Sequence, residues 1–274
     1  MTPSELVAAA LKEDLGRGDL FARCVEAKKA SATILSKDEG VLAGRIYADE
    51  LAKQMGIALL WQKNDGDLLV RGEVIARVEG MQTALLAAER TLLNLLQHAS
   101  GIATNARRYE RRLEGYKTVL LDTRKTRPGL REFEKYAARI GGCRNHRMGL
   151  DDCLMIKDTH RAIVGDLALF VQRARQQIPF TAMIEIECSS VAEACVAMTL
   201  GAQIVMCDNM TPAEVAQVVA WRDAHAPGVL LEASGNITIE NLETYAQTGV
   251  DAISSGSIIH QATWLDLSMR MDES

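Results

Sequence analysis

Apolar positions along the chain fall into two rhythms, with the change between them near Thr118. In the first part, Leu6, Val7, Ala10 and Leu11 follow helical spacing behind Thr2-Pro3-Ser4-Glu5, which reads as an N-cap, a first-turn proline and a capping-box glutamate. A helix is expected from there to Gly16. Short apolar or alternating runs at 30–35, 57–61, 68–70 and 74–78 are punctuated by Lys37-Asp38-Glu39-Gly40 and Asn64-Asp65-Gly66-Asp67, and predict strands of a small antiparallel sheet. Helices are expected at 46–55 and 82–98. In the second, Leu85, Leu86, Leu92, Leu93, Leu95 and Leu96 are dense enough to be buried on much of its surface.

Beyond Thr118 short apolar runs stand at 119–121, 154–156, 183–186, 204–207, 229–231 and 250–253, with helix-like stretches at 191–200, 213–224 and 239–247 between the later ones. Strand, helix, strand at this rhythm predicts parallel strands joined by crossovers, hence an α/β layer or barrel. Six units are visible, short of the eight of a closed barrel. Each run ends in polar, charged or glycine residues: Asp122-Thr123-Arg124-Lys125, Lys157-Asp158, Glu187, Asp208-Asn209, Ser234-Gly235 and Ser255-Gly256. The carboxyl ends of parallel strands carry the active site in such folds, so these six clusters are expected to converge on one mouth.

Composition narrows the function classes. The chain has 274 residues, 48% hydrophobic, with a net charge of −5 and 4% aromatics, which suits a globular protein and not one that coats nucleic acid. No apolar run reaches the ~20 residues of a membrane span, and residues 1–20 lack a signal-peptide pattern, so a cytoplasmic protein is expected. The six cysteines form no CxxC pair and are expected as free, mostly buried thiols.

The average charge hides a local excess, because between Asp122 and Arg147 there are eight Lys or Arg and three acids. Arg131, Lys135 and Arg139, at i, i+4 and i+8, are expected as one solvated helix face. Arg124, Lys125, His146, Arg147 and Lys157 sit instead at turns beside glycines and apolar runs. Guanidinium forks and a lysine point charge suit a small polyanionic ligand.

Glu185 and Glu187 alternate with Ile184 and Ile186, so both carboxylates are expected on one side of their strand, with Asp208 ending the next. Ionised carboxylates there need a cation or donors. A magnesium ion, ribose hydroxyls or a salt bridge to Lys157 would each serve. Ser234-Gly235-Asn236 and Ser255-Gly256-Ser257 offer glycine-opened backbone amides to an anion.

Together these motifs resemble the quinolinate phosphoribosyltransferase (nicotinate-nucleotide pyrophosphorylase, carboxylating) family. The matching text is Glu89-Arg90-Thr91-Leu92-Leu93-Asn94, Asp122-Thr123-Arg124-Lys125-Thr126-Arg127-Pro128-Gly129-Leu130-Arg131, Lys135-Tyr136-Ala137, Asn145-His146-Arg147-Met148-Gly149-Leu150, Ile156-Lys157-Asp158, Glu185-Ile186-Glu187, Met206-Cys207-Asp208-Asn209, Glu232-Ala233-Ser234-Gly235-Asn236 and Gly249-Val250-Asp251. Order and spacing hold over nearly the whole chain. The resemblance implies a mixed α/β N-terminal sandwich domain (1–104, with the tail 262–274 returning to it) packed on an incomplete (β/α) barrel (105–261) of type II phosphoribosyltransferase form.

It further implies that quinolinate and phosphoribosyl pyrophosphate, with Mg2+, yield nicotinate mononucleotide, pyrophosphate and carbon dioxide in de novo NAD biosynthesis. Carried over by position, Arg124, Lys125, His146, Arg147 and Lys157 would hold the quinolinate carboxylates beside Thr123, with Arg90 supplied by the partner of a homodimer, and hexamers as the larger alternative. Glu187 and Asp208 would bind ribose hydroxyls and magnesium, directly or through water or substrate. Ser234, Gly235, Asn236, Ser255, Gly256, Ser257 and His260 would surround the 5′-phosphate. Lys125, Lys157, Glu187 and Asp208 would be the catalytic group. Cys143-Arg144 and Thr159 depart from the usual family text. The alternatives are a non-catalytic accessory paralogue of molybdate transport and another phosphate-binding barrel enzyme.

Overall fold

The structure is a computed structural model that describes residues 1–272. In chain order the elements are α1 (Pro3–Leu15), β1 (Lys29–Ser36), β2 (Gly40–Val41), α2 (Arg45–Met55), β3 (Ala58–Trp61), β4 (Leu68–Leu69), β5 (Val74–Met81), α3 (Gln82–Arg112), β6 (Val119–Leu121), α4 (Arg131–Ile140) and β7 (Leu154–Ile156). They continue as α5 (Asp158–Val164), α6 (Leu167–Gln177), β8 (Ile184–Cys188), α7 (Val191–Thr199), β9 (Ile204–Asp208), α8 (Pro212–His225), β10 (Leu230–Ser234), α9 (Leu242–Ala246), β11 (Ala252–Ser254), α10 (Ser257–His260) and β12 (Leu267–Met271).

The chain divides into two compact units, and the division is not a single cut near residue 104. The first unit comprises Met1–Arg107, Thr126–Gly142 and the chain from Ile258 onward; the second comprises Arg108–Lys125 and Cys143–Ser257. Residues 126–142, expected with the barrel, therefore pack with the first unit.

In the first unit β12, β1, β5 and β3 form an antiparallel sheet in that order, with β2 and β4 as a separate ribbon. β12 pairs in register with β1, Ala32 opposite Met271 and Ser36 opposite Leu267. Buried positions alternate along the end of β1, the period of a sheet with one face on a core. That core includes Leu42, Tyr47, Leu51, Leu85, Leu92, Leu96 and Phe133, and Tyr47 meets Phe133 edge-on at 4.8 Å. The first helix carries the expected capping box, Thr2 with Glu5.

α3 runs past its expected end at residue 98. Ile102, Ala103, Ala106 and Tyr109 continue its buried stripe under a more polar sequence. Within it Gly101 lies against another stretch of chain, where a Cβ would fall 2.2 Å from the Thr263 carbonyl oxygen. The expected solvated face of α4 is corrected: Arg139 is exposed and Arg131 partly so, but Lys135 is fully buried. Six consecutive α4 residues, Phe133 to Ala138, are buried, more than one turn, so the helix has no solvent face at its middle. Buried Glu134 accepts from the Arg127 guanidinium at 2.6 Å and lies 3.2 Å from His98. Burial alone would raise its pKa, but these partners hold it below the usual value.

The second unit holds a six-stranded sheet in the order β6-β11-β10-β9-β8-β7, every pair parallel. Crossover helices join its strands, and β8 is buried at every residue, as expected for a parallel strand covered on both faces. β6 and β7 are the two edges, which leaves a barrel-like sheet that does not close. α5 and α6 were not anticipated; α5 buries no residue, so it has no apolar stripe to announce it. Among the described residues no helix is long and apolar enough to cross a membrane. Three of the six free cysteines, Cys143, Cys188 and Cys207, are buried.

Candidate active site

The carboxyl ends of the second unit's strands carry the candidate site. β6 ends beside Asp122, which is fully buried. Its Oδ1 accepts from the His146 amide at 2.8 Å and its Oδ2 from the Asn145 side chain at 2.6 Å. Arg144 pairs with Leu121 in a parallel bridge, so the segment before His146 lies along the β6 edge. The Arg147 guanidinium reaches the other edge, donating to the Cys153 carbonyl at 3.0 Å just ahead of β7. The Asn-His-Arg segment is thereby held between the two strands that the sheet leaves unpaired with one another. After Asp122, the Lys125 amide donates to Thr123 Oγ1 at 3.0 Å, and Arg124 is partly buried while Lys125 is exposed.

His146 points its ring inward. Nε2 lies 3.3 Å from Glu185 on β8 and 3.2 Å from Glu232 on β10, both buried. Burial works against a charged ring, but the two carboxylates outweigh it and push the His146 pKa up to about 10. The Arg147 amide, 2.7 Å from Nδ1, favours a lone pair there. Two formal charges prevail over one amide dipole, and the ring is cationic at neutral pH. Glu185, whose Oε1 has no hydrogen-bond partner, is pushed up by burial. Ser254 donates to Glu232 at 2.5 Å. Donor atoms of His146, Glu185 and Glu232 lie within 4.8 Å of one another, close enough to hold a metal. The imidazolium already supplies their cation.

Lys157, ending β7, makes a 2.6 Å salt bridge to Glu187 on β8. Asp208, at the end of β9, is raised by burial and by Glu187, while Asn209, Lys157 and Lys125 pull it back. The shift places Lys125, Lys157, Glu187 and Asp208 in one electrostatic neighbourhood. Two hard oxygen donors whose mutual repulsion is not fully answered fit a divalent cation such as magnesium.

The loop after β10 turns through Gly235 at φ 89° and Asn236 at φ 52°, two successive residues with left-handed backbone. The Ser255 hydroxyl donates to the Ile237 carbonyl at 2.8 Å and is spent on closing this loop. Ser234 lies 3.0 Å from Ser254 Oγ, Gly256 and Ser257 follow β11, and the Asn236 amide is committed to Asn209 at 3.0 Å. Of the remaining candidates, Arg90 is exposed on α3 and His260 is exposed at the end of α10; both belong to the first unit.

Three residues that shape the site, Asp122, Glu232 and Asn209, stand in the motif text with no role of their own, and Glu185, expected beside Glu187 as a carboxylate in need of a cation, finds it in His146. Asp122 and Asn209 stand just past strand ends and Glu185 and Glu232 within strands, and whether such a side chain faces a ligand or another strand depends on contacts distant in sequence.

Two family models match the chain, the quinolinate phosphoribosyl transferase N-terminal domain over residues 19–100 and its C-terminal domain over 102–270. The probable nicotinate-nucleotide pyrophosphorylase (carboxylating) of Synechocystis is 40% identical over 264 residues, 95% of this chain and 90% of the relative. That of Archaeoglobus fulgidus is 43% identical over 260 residues, 93% of this chain and 98% of the relative. Among solved structures, the nicotinate-nucleotide pyrophosphorylase from Francisella tularensis superposes with a TM-score of 0.91 at 34% identity, covering 98% of this chain and 96% of that one.

Proposed function

The chain belongs to the quinolinate phosphoribosyl transferase family, and from that premise we propose how its strand ends carry out a carboxylating pyrophosphorylase reaction. Quinolinate and phosphoribosyl pyrophosphate combine when the pyridine nitrogen attacks ribose C1 and pyrophosphate leaves. The ring C2–carboxylate bond then breaks, carbon dioxide departs, and C2 takes a proton to give nicotinate mononucleotide. The observation that carries this reading is the Lys157–Glu187 ion pair with Asp208 and Lys125 in electrostatic reach of it.

Arg124, Arg147, Lys125 and Lys157 orient the two quinolinate carboxylates, and His146, its ring turned to Glu185 and Glu232, anchors the segment that carries Arg147. Arginine stays protonated, so these groups act as fixed charges and not as bases. Glu187 and Asp208 flank the sugar, where their charge favours the oxocarbenium-like C1 and their oxygens accept from its hydroxyls. A magnesium ion, held by Glu187 and Asp208 directly or through water or substrate, would supply divalent countercharge to the leaving pyrophosphate. The backbone amides after β10 and β11 take the 5′-phosphate, together with Ser234. The enzyme works as a cytoplasmic homodimer in which Arg90 enters the partner's site.

The test is to mix the protein with quinolinate, phosphoribosyl pyrophosphate and Mg2+ and follow nicotinate mononucleotide. Stoichiometric mononucleotide, pyrophosphate and carbon dioxide are expected, with little product when nicotinate replaces quinolinate. A folded protein that forms no mononucleotide would refute the reading.

A further inference from the structure

Asn209 and Asn236 are the non-glycine residues with left-handed backbone among the described residues, at φ 56° and 52°. They follow the ends of β9 and β10, and their side chains meet. The Asn236 amide nitrogen donates to Asn209 Oδ1 at 3.0 Å, and the Asn209 amide nitrogen donates to Asp208 Oδ2 at 2.7 Å. The Asn209 backbone N–H donates to the Ser234 carbonyl at 2.9 Å, fixing the same residue from its main chain. Asn236 is held in turn, its carbonyl accepting from the Asn241 side chain at 3.1 Å. Gly235 makes room for the pair, since a Cβ there would fall 2.4 Å from Asn209 Oδ1.

Left-handed backbone is unfavourable for any residue with a Cβ, and its persistence at a site calls for a reason. Glycine at 209 would remove that strain and lose both side-chain bonds. Aspartate would tolerate the conformation but has no donor for Asp208 and sets a second negative charge beside it. Asparagine alone accepts the conformation, donates to the carboxylate and still accepts from its neighbour.

We propose that Asn209 and Asn236 are positioning residues that aim the Asp208 carboxylate at the phosphoribosyl substrate, one through a direct bond and the other by bracing the first. The inference rests on the phosphoribosyl-transfer reading above and adds to it two side chains whose amides are committed to protein partners. With one Asp208 oxygen pinned, the carboxylate has a single settled orientation before any ligand arrives. The cost of ordering it is met in folding rather than at each binding event.

The test compares Asn209→Gly, Asn209→Asp and Asn236→Gly with the wild-type protein. It reads KM for each substrate, kcat, calorimetric binding of phosphoribosyl pyrophosphate without quinolinate, and thermal unfolding. In Asn209→Gly, KM and Kd for phosphoribosyl pyrophosphate are expected to rise about 10- to 100-fold, the factor for losing one hydrogen bond to a charged group. KM for quinolinate and the melting temperature are expected to stay near wild type. Asn209→Asp is expected to be worse than Asn209→Gly despite keeping shape, and Asn236→Gly milder.

A wild-type Kd for phosphoribosyl pyrophosphate in Asn209→Gly would overturn the proposal. So would both KM values rising together with a lowered melting temperature in Asn209→Gly and Asn236→Gly, the mark of a purely structural role. Wild-type turnover separates the two claims: its absence refutes the reaction, whereas its presence with insensitive variants refutes only the positioning role.

Discussion

At His146 the protein places an imidazole where two buried carboxylates from different strands share one nitrogen, Nε2. The ring titrates near 6.5 when exposed and at about 10 here. The charged ring therefore contributes stability that is fully present below about pH 6.5 and lost as pH rises through 10. Over the physiological range between, the folded protein keeps the proton. We expect the His146 ring resonance to stay flat in an NMR titration from about pH 6 to pH 8.5; a midpoint near neutrality would show that the acids do not hold the proton. Asp122 shows where residue-level reading stops. An aspartate opening the Asp-Thr-Arg-Lys text suggests a group for ligand, whereas its carboxylate accepts from the Asn145 side chain and the His146 amide. Sequence marks such a residue by its place at a strand end but does not reveal the direction of its side chain.

The elements were legible where a pattern had both period and boundary. The capped α1, the edges of β6 and β7, and the six parallel runs stand close to where the hydrophobic pattern put them. The misses have physical causes. α5 buries nothing, α4 buries Glu134 and Lys135, charged residues that its pattern gives to solvent, and the later turns of α3 pack through alanine and glycine rather than leucine. Gly101 states the last case most sharply, since its missing side chain is what admits Thr263 and Trp264. Gly101→Ala favours helix by propensity yet forces its new methyl into backbone. The substitution is expected to destabilise the first unit by about 1–3 kcal/mol, with a melting temperature several degrees lower in calorimetry. An unchanged melting temperature would show that the segment can step aside at no cost.

For the molecule as a whole, the charge of −5 is an average over an acidic chain and one cationic stretch, of which Arg124, Lys125, Arg144 and Arg147 stand in the second unit while Arg127, Arg131, Lys135 and Arg139 pack with the first. The proposed dimer makes a further statement at this scale. Arg90→Ala and Lys157→Ala proteins should each be nearly inactive, but unfolded together and refolded they should regain about a quarter of wild-type sites, because a mixed dimer keeps one intact site of two. No recovery, with mixed dimers confirmed by mass, would place Arg90 in its own chain's site or outside the chemistry. The division into units was the least legible feature, because contacts between residues hundreds of positions apart decide it. β12 closes onto β1 across that distance, and this pairing constrains how the protein is made. A ribosome releases β1, β3 and β5 early, but the strand that covers their open edge emerges only after every strand of the second unit. The first unit to begin folding is thus the last to finish, and for most of synthesis its exposed β1 edge is open to pairing with other chains, the interval in which a chaperone would matter most.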